Sequence, residues 1–205
     1  IKQYVAGTGR RAIWRTVSRE QSAPLRPQFF FPVDRLSDGV RDRILRQRAG
    51  FCDISGQTNE RTMLTAMIPD NVVCGNKVPT VSFPAPWAEE RMFAWIAVCN
   101  SFAFDWILRR VVTTTINFFH LLGMPIPIAE PKTNEFKALA ETGHRLSIAT
   151  SCDPWERARL RAKADLAVLG LYGQDLSALR LILEDFPLLD RGQLALPGER
   201  RSTIT

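Results

Sequence analysis

Apolar and polar residues in the first half of the chain alternate in short runs that proline keeps interrupting. Residues 11–18 alternate (Ala12, Trp14, Thr16), 28–33 form a compact aromatic run, and 51–55 and 62–68 follow. Four short strands are expected from this pattern. Pro24, Pro27, Pro32, Pro69, Pro79, Pro84 and Pro86 keep long helices out of this half. One helix is expected at 39–49, where Val40, Ile44 and Leu45 share a face and arginines take the other. Beyond Pro86 the apolar spacing becomes three and four. It predicts helices over 87–111 (Phe93, Ile96, Ala97, then Phe102, Trp106, Leu108), 134–149, 153–172 and 176–185. Asp153 can cap the third of these, Pro154 suits its first position, Glu156 completes a capping-box spacing, and Gly173 suits a left-handed end. The reading is α+β: a β-rich module over 1–85, a helical packing module over 86–190, and a frayed or truncated tail over 191–205.

Composition is that of a folded chain, with 45% hydrophobic and 23% charged residues in 205. The most apolar stretch, 92–104, is broken by Asn100 and Ser101 and is too short to cross a membrane. The first residue, Ile1, reads as the start of a piece of something longer. Net charge is +6, and its placement matters more than its size. Residues 1–48 hold eleven basic residues, ten of them arginine, against four acidic, a net of +7; the rest holds sixteen against seventeen, a net of −1. Guanidinium is weakly hydrated and grips phosphate through two nitrogens, so this segment suits a polyanion. A solvated basic face, or contact with an acidic partner, is the alternative. Cys52, Cys74, Cys99 and Cys152 form no Cys-x-x-Cys pair, so reduced, mostly buried thiols in a cytoplasmic protein are expected. His120 and His144 have no partner at metal-ligand spacing.

Residues for chemistry are not found together. Tyr4-Val5-Ala6-Gly7-Thr8-Gly9 is the one glycine-rich candidate for a nucleotide turn, but Arg10 and Arg11 follow it and no acidic strand end comes at the right distance. A flexible basic loop is the expectation. Asp70 and Glu135-Phe136-Lys137 carry the letters of a magnesium nuclease, 65 residues apart. No nucleophile is placed beside a histidine, and Asp105 and Glu90 read as helix-surface or capping groups. The Asn/Asp-Pro-Pro-Tyr/Phe loop by which adenine methyltransferases hold an extruded base does not occur. No catalytic residue and no cofactor site is therefore expected in this chain.

Three blocks carry a resemblance. The first is Asp53-Ile54 followed by Thr58-Asn59-Glu60-Arg61-Thr62-Met63-Leu64-Thr65-Ala66-Met67-Ile68-Pro69. The second is Asn100-Ser101-Phe102-Ala103-Phe104-Asp105-Trp106-Ile107-Leu108-Arg109-Arg110 with Thr115-Ile116-Asn117-Phe118-Phe119 and Leu122-Gly123-Met124-Pro125-Ile126-Pro127. The third is Asp165-Leu166-Ala167-Val168 with Leu171-Tyr172-Gly173 and Ile182-Leu183-Glu184-Asp185-Phe186-Pro187. In this order they resemble the carboxy-terminal target recognition region of type IIG restriction–modification enzymes and phage-defence adenine-specific DNA methyltransferases. The arginine-rich start departs from the segment that family carries upstream. The resemblance implies a region that reads double-stranded DNA for a catalytic domain absent from this chain, joined in cis or met in trans. That domain would use S-adenosylmethionine, with or without an attached endonuclease. The rival expectation is a scaffold of a defence complex that does not touch DNA.

For phosphate contact the candidates are Arg10, Arg11, Arg15, Arg19, Arg26, Arg43, Arg46, Arg48 and Lys77, since charge and reach suffice. For base or backbone contact they are Thr58, Asn59, Arg61, Asn76, Thr114 and Asn117, through amide, guanidinium and hydroxyl groups. Glu60 and Arg61 can instead pair within the fold, the preferred role for a block that recurs across enzymes with different targets. Trp14, Phe29, Phe30 and Phe31 can stack on bases, but the phenylalanines are expected first in the core.

Overall fold

The computed structural model describes residues 2–8, 11–16, 29–57, 59–127, 130–148 and 153–189, with backbone alone for the first two stretches. Strands β1 (Lys2–Thr8) and β2 (Arg11–Thr16) pair antiparallel with Thr8 opposite Arg11 and a register shift between Tyr4 and Ala6. The glycine-rich stretch expected as a flexible loop is thus strand as far as Thr8. The alternation read at 12, 14 and 16 is a strand as well.

Helix α1 (Asp38–Ile44) leads into a three-stranded antiparallel sheet of β3 (Arg48–Phe51), β4 (Thr65–Ile68) and β5 (Thr80–Val81), in the order β4-β3-β5. Helices α2 (Ala88–Cys99), α3 (Phe102–Leu108), α4 (Phe118–Gly123), α5 (Asn134–Ile148), α6 (Pro154–Leu171) and α7 (Leu176–Glu184) follow.

The α+β class holds, but the description of the first module as β-rich does not. Its sheet strands are four, four and two residues long. Of the stretches read as strand at 51–55 and 62–68, only Phe51 and residues 65–68 lie in the sheet, and even there side chains of other elements take part in the bonding. Thr62 N donates to Asp105, and Thr65 N and O pair with the Asn100 amide at 3.0 Å each. The aromatic run at 28–33 is corrected on both counts. Phe29, Phe30 and Phe31 lie outside any strand and are 80%, 89% and 55% exposed. No described element covers them.

The helix expected over 39–49 stops at Ile44, because Ala49, Gly50 and Phe51 are needed as the buried central strand. A Cβ on Gly50 would meet the Ile68 and Val78 side chains at 2.7 and 3.2 Å, so glycine lets β4 and the 75–78 turn close over it. The expected 87–111 helix is two helices. Ser101 breaks it, donating through Oγ to Val98 O and accepting from Phe104 N, and so ends α2 and caps α3.

From Asn134 on, the expected helices appear within a residue or two of their bounds. Asp153 accepts from Glu156 N at 3.0 Å with Pro154 in the first turn, and Gly173 takes φ +67° past the end of α6.

Two hydrophobic clusters join the sheet to the helices, the smaller formed by Ala49 with Met92, Phe93 and Ile96. Phe51 and Met63, at 1% and 0% exposure, pack with Ala97, Phe104, Leu108 and Val168. Helices α2 and α5 approach closely: a Cβ on Gly143 would lie 2.2 Å from Phe93 O. Thiol placement differs from expectation, since Cys99 is buried but Cys52 is exposed and Cys74 is half-buried. Burial pushes the Cys99 thiol well above its usual range.

Candidate nucleic-acid interface

The candidate residues fall into a buried frame and two exposed sets. The frame centres on Asp105, which is fully buried and not the surface group its sequence position suggests. Its carboxylate accepts from Arg61 Nε at 2.6 Å and from Thr62 N at 3.0 and 3.1 Å, with Arg109 Nε at 3.9 Å.

Arg61 is committed to this frame. Its Nη2 donates to Asn100 O at 2.6 Å and its guanidinium lies 4.3 Å over the Phe102 ring. Arg109 is equally committed, to Asp185 O at 2.7 Å, to Asn59 O at 3.2 Å, and to the Phe186 ring at 4.0 Å. Burial lowers its affinity for its proton and Asp105 opposes that shift.

Asp165 reaches the same region from α6 and accepts from Phe102 N at 2.7 Å. Desolvation pushes its carboxyl up to about 6, against the pull of that bond and of Arg61 and Arg161. At the rim, Arg110 and Trp106 Nε1 both donate to Asp185 Oδ2, and these bonds hold that carboxyl below its ordinary value. All three sequence blocks therefore meet in one network. Arg109, Arg110 and Asp185 had no role assigned from sequence; the spacing of Asp105 and Arg109 by one helical turn inside an apolar run was the available signal.

The first exposed set lies where α1 meets β3. Arg43 and Arg46 are exposed; Arg43 spends only Nε, on Gly39 O at 2.9 Å. The side chain of Arg46 makes no hydrogen bond or ion pair among the described residues. Arg48, the next candidate, is 3% exposed. Its guanidinium is turned inward onto the carbonyls of Arg46, Pro69 and Val72. It holds the α1–β3 turn to the chain after β4 and does not offer a phosphate contact.

The second exposed set lies at the other end of β3, a strand whose four residues span about 13 Å. Here the loops at 52–57, 75–78 and 113–117 are tied together. Ile54 bridges Thr115, Ser55 N donates to Thr114 O at 3.1 Å, and Ile116 N donates to Asp53 O at 2.7 Å. A Cβ on Gly56 would meet Thr113 O at 2.6 Å, so the loops touch through backbone. Lys77 projects from this end with its Nζ 3.2 Å from Asp53 Oδ2, while Asp53 Oδ1 is buried with no partner among the described residues. Asn76, Thr114 and Asn117 are exposed beside it, and Asn59 is exposed with its amide on Ser55 Oγ at 3.3 Å. Asn117 also caps α4 in a reciprocal bond with His120, whose Nδ1 accepts from Asn117 N. Arg11 and Arg15 lie on β2, described in backbone only; Arg10, Arg19, Arg26 and Thr58 lie outside the described residues.

The geometry thus brings Asn59, Asn76, Lys77, Thr114 and Asn117 to one edge and leaves Arg43 and Arg46 at another. The former stand on loops tied together through their backbones, the latter at the end of α1 and in the turn that follows it. No group of three or more His, Cys, Asp or Glu able to hold a metal occurs among the described residues. No protein-family model matches this chain, and no curated protein matches it.

Proposed function

We propose that this chain is the DNA-recognition region of an adenine-specific DNA methyltransferase or restriction–modification enzyme. It would place duplex DNA for a catalytic domain that uses S-adenosylmethionine and is supplied in cis or in trans. The observation that carries the reading is the convergence of the three resemblance blocks on Asp105, Arg61, Asn100, Arg109, Asp165 and Asp185. That convergence also fits a shared framework better than a shared set of base readers. The +7 charge of residues 1–48 supports a polyanionic partner. Backbone phosphates would meet Arg43, Arg46 and Lys77, and base edges the loops around Asn59, Asn76, Thr114 and Asn117.

The test is binding of a duplex pool to the full chain, measured by fluorescence anisotropy across a salt series. Binding should weaken steeply with salt. Arg43→Gln with Arg46→Gln should flatten the log–log slope by about 0.9 for each phosphate no longer neutralised. Equal affinity and equal slope in the variant would remove these two arginines from the interface, and an unbound wild-type chain would remove the reading. A scaffold that touches no DNA is the second reading. The exposed apolar side chains Phe118, Phe119 and Leu122 on α4 favour it, since such a group commonly marks a protein contact.

A further inference from the structure

A hollow of about 390 Å³ between the start of α2 and the outer face of α5 has a lining unlike the rest of the molecule. Its accessible aromatic lining is Trp87 and the half-buried His144, with Phe93 and Phe136 closing the floor behind them. Phe93 and Phe136 are almost fully buried, and the His144 ring stands edge-on to Phe93 with centroids 4.7 Å apart. Trp87 forms part of the wall at 38% exposure and holds φ at +70°, a left-handed conformation that a bulky side chain rarely adopts. Around this wall stand the carboxylates Glu89, Glu90 and Glu141, none of them in an ion pair among the described residues. The one lysine that lines the hollow, Lys137, lies one turn from Glu141 and does not pair with it either.

We propose that this hollow binds an organic cation of the alkylammonium class, held by the aromatic wall and neutralised by the three glutamates. Aromatic faces attract cations through their quadrupole, most strongly for tryptophan, and the attraction grows where water is displaced. The volume lies within the range of small-ligand pockets. The favourable field at the start of α2 accounts for Glu89 and Glu90 in its first turn, but not for Glu141, which stands midway along α5. A phosphate or a carboxylate ligand is disfavoured by the same three charges. Glu89 also lines the neighbouring hollow that holds Arg43 and Arg46, so the cation site adjoins that part of the proposed DNA contacts.

Choline titrated into the full chain, followed by NMR of the tryptophan indoles, tests the assignment. The Trp87 signal should move saturably in the millimolar range. The uncharged isostere 3,3-dimethylbutan-1-ol should bind about tenfold more weakly. Glu90→Gln with Glu141→Gln should weaken choline but not the neutral isostere. Trp87→Gly should keep the other indole signals in place, because glycine adopts this φ freely, and should abolish saturation transfer from the protein to the choline methyl protons. Nα-acetyl-lysine N-methylamide, which keeps its ε-ammonium charge, separates sources as a second probe: tighter binding than choline points to a side chain presented by a partner, looser binding to a free quaternary ammonium. Equal affinity for choline and its neutral isostere, no saturable shift of Trp87, or undiminished saturation transfer in Trp87→Gly would overturn the proposal.

Discussion

At the residue scale, Asp105 is where the fold is most sensitive. Its carboxylate neutralises two arginines that would otherwise face one another without water, and it also holds the Thr62 amide. Replacing one partner of a buried pair leaves the rest uncompensated, at a cost of about 3–5 kcal/mol. Asp105→Ala should lose stability on that scale in urea denaturation; a loss below about 1 kcal/mol would place it among ordinary surface changes. Asp165 poses the opposite case. Its carboxyl is raised from 3.8 to about 6, so the folded chain takes up a proton in that window before the unfolded chain does. The penalty for a buried charge is therefore absent below about pH 4 and fully present above about pH 6. Asp165→Asn keeps an acceptor for Phe102 N and removes the penalty. Relative to wild type it should gain stability between pH 4 and 6, by an amount of order 1–3 kcal/mol, and a pH-independent difference would refute this account. Neither role was legible in the sequence, where a lone aspartate in an apolar run looks the same whether it faces water or two arginines.

At the element scale, what the sequence showed depended on how local the signal was. The α6 helix was readable at both ends, because Asp153, Pro154 and Gly173 act through their own backbone. Alternation at 12, 14 and 16 marked β2 for the same reason. Residues 45–49 were misread, because a buried central strand overrides the helical spacing of Ile44 and Leu45. The break at Ser101 is a local cap, but the Asn100 side chain beside it is held by Thr65, 35 residues away, which spacing within the helix could not reveal. Packing between α2 and α5 was equally hidden. Gly143 has no room for a methyl group against Phe93 O, whereas a Cβ on Gly170 in α6 would meet nothing within 4 Å. Gly143→Ala should therefore destabilise by about 1–3 kcal/mol through overpacking. Gly170→Ala should stabilise by about 0.5–1 kcal/mol through helix propensity. Thermal unfolding of the two variants checks the contrast, and a like sign for both would contradict the packing described.

At the scale of the whole molecule, the question is whether residues 86–190 can stand without what precedes them. Sequence pattern changes sharply at Pro86, and a boundary there is a natural reading. The contacts that cross it are buried. Phe51 and Met63 fill the core among α2 and α3, Arg61 and Thr62 satisfy Asp105, and Thr65 satisfies Asn100. Removing one large core side chain costs about 3–5 kcal/mol, and unpairing a buried carboxylate costs a similar amount. Two or three such changes reach the whole stability of an ordinary domain, about 5–15 kcal/mol. A fragment of residues 86–190 should accordingly keep helical circular dichroism but unfold in urea without a sharp transition, while the full chain unfolds cooperatively. A steep sigmoidal transition in the fragment would mean that the helices form a unit of their own. The network around Asp105 would then be a joint between two bodies, and DNA contacts on the two sides of Pro86 could be separated by mutation without loss of either fold.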